Sequence, residues 1–543
     1  MKRPALILAL VLSFAFPVLA DEDHHHEDLT SDQLGTVHFP VSCSPSAQKS
    51  FERGVALLHS FWYEEAEKTF QQVATDDPQC AMARWGVAMS LWHQLWDHPN
   101  DATLKRGAAE LKEAKSLHSK EDRERDYIAA LSAFYERRHR EHKVRATAYS
   151  QRMEQLYQKY PDDHEAGIFY ALSLIASEPD KDANYANRRK AAAVLEKLFA
   201  EEPNHPGVAH YLIHSYDKPE MAELGLPAAR RYAKIAPVAP HAVHMPSHIF
   251  ARLGLWQEDI DSNLASIAAT HKGEEMHMGG GGHQFHAMDF LVYAYLQSGH
   301  EAEVLHVIDE VKAMPAMKDM YKGDSDPRFV MLEFFEASYA LELHHWADAA
   351  ALPLIPGTNG DDSITYRARA IGAARRGNVS EAHKALAQLE AIHADAVKRK
   401  LMYADAIDEE RREAEAWVDH AEVKNEAAIK LLRDIADKEE GVFQAGDGIP
   451  AREMLADMLL EMGRPEQALS EYEANLKLNP NRFDSLYGAA HAAEMNGKGD
   501  KANMYYAQLV KACDGSNSDR PELGRAKAQL AKKGAETASA SQN

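Results

Sequence analysis

The sequence predicts an all-α chain, a solenoid of stacked helix pairs. Three observations carry this. Apolar residues recur at helical spacing almost throughout and are interrupted at intervals by Pro or Gly. β-Branched residues are sparse and period-two alternation does not persist, so strand signals are nearly absent. Two segments, "PGVAHYLIHSYD" at 206–217 and "PHAVHMPSHIF" at 240–250, each carry two histidines four residues apart, and the second pair repeats the first after 34 residues. That interval is the length of a helix–turn–helix repeat. With 543 residues, 45% of them apolar, the chain can bury a large core.

The chain opens with Lys2 and Arg3, an apolar run, and small residues at Val18 and Ala20 before Asp21. This predicts a secretory signal peptide over 1–20, cleaved after Ala20. The expected location is periplasmic or secreted. No other apolar run is long enough to cross a bilayer, so no membrane span is expected after cleavage. A His-rich acidic leader follows over 21–45. Its His24–His26 sit among acids, a composition that captures metal loosely or simply stays solvated.

Three cysteines, Cys43, Cys80 and Cys513, are too few for a disulfide scaffold. One bridge is possible in an oxidising compartment, with Cys43 and Cys80 the foremost pair, and spacing alone leaves it open. There is no CxxC, so neither a thiolate zinc site nor a thioredoxin-like motif is expected.

Repeat units follow. At 46–160, Gly54, Leu57, Ala66, Phe70 and Pro78 alternate small and large residues, with an insertion expected at 94–125. Trp85, Trp92, His93 and His59 in this part read either as core or as an aromatic wall. The stretch 161–325 is His-rich, with 271–284 expected as a long loop and Gly279–Gly282 as a connector or a flap. In 326–520, Leu455, Ala456, Leu459, Gly463, Ala468, Tyr472 and Pro480 form one unit. Ala489, Ala490, Ala493, Gly497, Ala502 and Tyr506 form the next. Weaker copies surround Tyr339–Ala349, Ala370–Ala382 and Ala416–Ala428. A flexible tail is expected at 521–543.

At these positions the chain resembles the tetratricopeptide repeat (TPR) family. The resemblance implies a right-handed α-solenoid of about nine to ten TPR-like helix pairs, whose concave wall ordinarily docks a protein or peptide. The chain is also similar to a set of exported bacterial repeat proteins carrying "HMPSHIF"-type segments, which extends the fold and not the function.

In the TPR frame, Pro206 and Pro240 are first positions. His210 and His244 are then fifth, and His214 and His248 ninth, positions that in the family face the concave groove. Counting in the next unit makes Phe285 first, His286 second and Asp289 fifth. Ten of the 29 histidines fall within 205–286, more than twice an even share. Imidazole is the commonest protein ligand for transition metals, and a carboxylate can complete a set. The expected metal ligands are therefore His210, His214, His244, His248, His286 and Asp289. They are enough for two ions, or for one ion with supporting partners. Zinc and copper fit equally, Met245, Met276 and Met278 favouring copper.

The net charge of −23 and the absence of a basic stripe argue against nucleic acid. No P-loop, dinucleotide fingerprint, G-x-S-x-G elbow or HExxH occurs. The expected function is an exported scaffold whose groove holds a transition metal and docks a protein or peptide. The alternatives are a metal-dependent enzyme with Tyr293 or Asp217 handling protons, and a metal-free interaction module.

Overall fold

The computed structural model describes residues 29–540 except 96–97, 180–181, 183, 277, 279–281, 318–325, 357–361, 402, 441–442 and 444–447, and gives no side-chain environment for 534–540. The expected signal peptide, His24–His26, His277 and most of the Gly279–Gly282 run lie outside these residues. Every regular element described is a helix. Among them, no helix is long and apolar enough to cross a membrane.

Successive helices pack on their chain neighbours and on the next helix but one, the nearest-neighbour pattern of a solenoid. The TPR-like fit of small against large residues is visible in the packing. Gly54 and Gly86 both abut the ring of Phe70, and a Cβ on Gly86 would lie 2.3 Å from that ring. Gly488 leaves the same room for Tyr472, where a Cβ would come within 2.2 Å. The core accordingly runs along the spiral as successive clusters, one from Leu34 to Met278, one from Trp256 to Phe335 and one from Ala337 to Ala526.

Three expectations on organisation change. Residues 94–125 hold an ordinary helix, Asp101–Ser116, packed on Ala81–Ser90. Asn100 caps its start by accepting from Thr103 N, and the connection before it is what broke the sequence pattern. The loop expected at 271–284 is shorter, because Trp256–Glu275 continues to 275 and the next helix begins at His283. The tail is helical over Pro521–Ala540, anchored by buried Leu523 and Ala526. Trp85, Trp92 and His59 are core residues, each at most 1% exposed.

The spiral also closes on itself. The turn at Ser60–Tyr63 reaches helix Pro206–Tyr216, and Phe61 lies in the left-handed backbone region at φ 54° to do so. From the other end, Trp256 Nε1 donates to Asn481 O at 3.0 Å, and the Phe483 amide donates to Gln297 Oε1 at 3.0 Å. Gly254, at φ 62°, is needed where these segments meet, since a Cβ there would be 2.4 Å from Pro480 O. Arg482 is fully buried in this junction, bonded to Glu342 and Glu453 at 2.7 Å each and to the Tyr293 hydroxyl at 3.0 Å. Cys43 and Cys80 form a disulfide that ties the leader segment to the start of helix Ala81–Ser90. Cys513 is buried as a free thiol.

Candidate metal centre

Four short helical runs carry the histidines: Pro206–Tyr216, Pro240–His244, Pro246–Leu253 and His283–Ser298. Proline begins the first three, where its missing N–H costs nothing. Pro246 also breaks the helix expected from Pro240 onward, because it cannot donate to the carbonyl four residues back. Serines on Trp256–Glu275 hold the broken turn. Ser262 donates to Val243 O and Ser266 to Pro240 O, both at 2.8 Å.

Five of the six expected ligands fall into two groups of three imidazoles. The first is His210, His214 and His241, and the second is His244, His248 and His286. Asp289 belongs to neither group. It is half-buried one turn along the helix from His286. The residue that shares the face with His286 is Phe290, whose ring lies 4.6 Å from that of His248 and 5.1 Å from that of His244. His241 takes a place that the repeat count did not provide. With His244 and His248 it follows an i, i+3, i+7 pattern, one continuous helical face.

In the second group, the outer nitrogen fixes the tautomer of two rings when both are neutral. Asn263 Nδ2 donates to Asp259 Oδ1 at 2.6 Å, so its Oδ1 is the atom 2.7 Å from His244 Nδ1, which therefore donates. His248 Nδ1 donates to Asp217 Oδ2 at 3.0 Å, and Arg252 Nε donates to Asp217 Oδ1 at 2.8 Å. Both Nε2 atoms then carry lone pairs, and they face each other at 3.1 Å. In the first group His210 Nδ1 donates to the backbone oxygen of His59 at 2.6 Å. This leaves a lone pair on His210 Nε2, with His214 Nε2 at 3.0 Å and His241 Nε2 at 3.1 Å. One in-plane lone pair cannot serve two donors well. Three nitrogens bound at 2.0–2.1 Å to one ion with angles near 100° would stand about 3.1–3.2 Å apart, close to the His210–His214, His210–His241 and His244–His248 separations. A carboxylate, a side-chain amide and a backbone carbonyl behind the rings are the outer partners that metal-bound histidines use.

Burial disfavours the charged form of six imidazoles here. It lowers His210 and His286 to about 3 and His283 to about 4, and holds His214, His241 and His244 well below the ordinary value. His286 is exposed yet closely surrounded, the position of a side chain lining a cleft, and His214 is partly open. Phe61 covers the first group, its ring 4.3 Å from His210, 5.7 Å from His214 and 5.3 Å from His241. The wall expected to be an open groove is thus roofed here by the chain's own N-terminal unit. A cavity of about 10 Å³, the room of one water, adjoins His248, Asp217, Arg252 and Tyr293.

The two residues expected to handle protons are otherwise engaged. Burial raises the Tyr293 hydroxyl to about 12, and it accepts from Arg482. Burial alone would raise Asp217, but the Arg252 charge and the His248 bond hold it well below the carboxylate range, so it orients and does not shuttle.

Two further polar clusters explain themselves without an ion. Glu165 accepts from His59 and His205 at 2.9 Å each, and the Tyr211 hydroxyl lies 2.9 Å from His59 Nδ1. Glu342, Glu453 and Asp484 are served by Arg482 and Arg520.

No family model matches the chain, and no curated protein matches it. Solved structures that it resembles include the human IFIT1 dimer with m7Gppp-AAAA, 12% identical over 80% of this chain and 90% of that chain, at a TM-score of 0.34. The human IFIT1 dimer with PPP-AAAA is 12% identical over 80% and 91%, at 0.36. The P58(IPK) TPR domain is 12% identical over 90% and 99%, at 0.19. Overlap this loose carries no argument about ligands, and the reading of the fold as TPR-like stands on the helix pairing itself.

Proposed function

We propose that this chain is an exported helical-repeat protein that binds two transition-metal ions, one in each three-imidazole group. The observation that carries the reading is the pair of lone-pair-bearing nitrogens, His244 Nε2 and His248 Nε2, held 3.1 Å apart by outer hydrogen bonds. With both rings neutral the two lone pairs point at one spot, where a metal ion, or else a single shared proton, relieves their repulsion. All-imidazole sets suit zinc and copper alike. The Cys43–Cys80 bridge supports an oxidising compartment, in keeping with the expected signal peptide. Docking of a protein or peptide partner remains part of the proposal for the rest of the wall, away from the roofed histidines.

A metal-dependent enzyme is the second reading, favoured by one observation. Three protein ligands per ion leave an open position, as catalytic sites do. The test of metal binding is elemental content. Tag-free protein isolated without chelators should carry two ions per chain, and the His244→Ala/His248→Ala variant one. Equal, near-zero content in both would end the metal reading.

A further inference from the structure

We infer that the two ions share one small bridging anion, so that the six imidazoles form a single dinuclear centre that takes a ligand of one to three atoms. This rests on the two-ion reading above. The first ground is proximity. Rings of different groups, His214 with His248 and His241 with His244, have centroids 6.2 and 6.0 Å apart. Rings within a group are 4.4–6.3 Å apart, so nothing separates the groups but the ligands themselves.

The second ground is charge. Neither group includes a carboxylate, and neutral imidazoles bring no charge to offset two cations. Asp217 stands behind His248, on the far side from the centre, and its charge is already met by Arg252. Glu165 is likewise taken up by His59 and His205. Asp289 is half-buried near His286 but ligates in neither group, so two cations among uncharged ligands still draw a counter-charge from outside the chain. With three protein ligands on each ion, the open positions are where it would bind. Rings of the two groups only 6.0–6.2 Å apart call for a short bridge, hydroxide in plain water or azide where supplied.

The test uses the full, tag-free chain loaded with Cu(II), desalted, assayed for copper and titrated with azide. Absorption in the near ultraviolet and electron paramagnetic resonance are followed together. The expected result is saturation at one azide per two coppers, with an integrated resonance intensity well below that of two isolated copper ions both before azide and at saturation, because a bridge couples the two spins throughout. Two azides per chain with undiminished resonance, or no azide bound by a chain holding two coppers, would overturn the shared ligand and leave the metal sites standing. A chain that holds fewer than two coppers overturns the two-ion reading and this one with it. The His244→Ala/His248→Ala variant supplies the comparison, because its remaining copper should keep its full resonance with azide present.

Discussion

His244 Nε2 and His248 Nε2 face each other at 3.1 Å while both Nδ1 atoms donate elsewhere, to Asn263 and to Asp217. Four residues of helix spacing put the two rings on one face, but the outer bonds decide which nitrogens meet. With both rings neutral, the meeting pair has no proton to share.

Asp217 is a positioning residue. Asp217→Asn removes the carboxylate that orients His248 and should weaken metal binding by about 10–100-fold while leaving two ions bound at saturation. Competition against a chelator of known affinity measures this. The Asp289→Asn variant should bind as tightly as the unaltered chain, because Asp289 lies outside both groups.

Metal should stabilise the fold by mass action. At free metal 100 times the dissociation constant, one site adds about 2.7 kcal/mol. Thermal unfolding should therefore shift upward on loading. Substituting His210 and His214 by Ala should remove one site's share and leave the other's.

Metal-free protein should lose stability in acid. His210 and His283 have folded values near 3 and 4, against 6.5 when unfolded. Between about 6.5 and those values the unfolded chain binds protons that the folded chain refuses. Stability is therefore fully present above 6.5 and drains away as the pH falls toward 3. The slope is at most about 1.4 kcal/mol per pH unit for each such group. Denaturant midpoints at stepped pH measure it, and a flat response from pH 7 to 4 would contradict the burial account.

Arg482→Met should be among the costliest single changes outside the histidines. It leaves Glu342 and Glu453 buried without their cation, a loss of about 3–5 kcal/mol. Unfolding in denaturant measures the loss, and limited proteolysis should show the C-terminal units freed from helix His283–Ser298.

The Cys43–Cys80 bridge closes a separation of 37 residues, worth about 4 kcal/mol by the chain-entropy relation. Non-reducing peptide mapping should find it, and a reductant should lower the melting temperature. Buried Cys513 should stay unmodified until the chain unfolds.

Much of the fold was legible because each TPR-like unit writes its own packing locally. Gly488 against Tyr472 and Gly54 against Phe70 need only the two helices of a unit and the next one. Asp101–Ser116 was hidden by the connection ahead of it, which shifts the repeat count although the helix is regular. The two histidine pairs were legible from periodicity. His241 was missed because the count followed the 34-residue interval, at which Gly207 stands. The shorter signal, His241, His244 and His248 on one face, was present but not used. Asp289 was assigned on spacing alone, whereas Phe290 occupies the face toward His286. The closing of the spiral had no local signal at all. Contacts such as Arg482 with Tyr293 join residues 189 apart, and depend on a pitch that no single unit encodes.

The central claim is that imidazoles from successive coils converge on two points. Anomalous diffraction from metal-loaded crystals, collected on both sides of the metal's absorption edge, tests it most directly. The account predicts two peaks, each about 2.0–2.1 Å from ring nitrogens of its own histidine group. Peaks confined to surface carboxylates, or none within reach of His244 and His248, would contradict it.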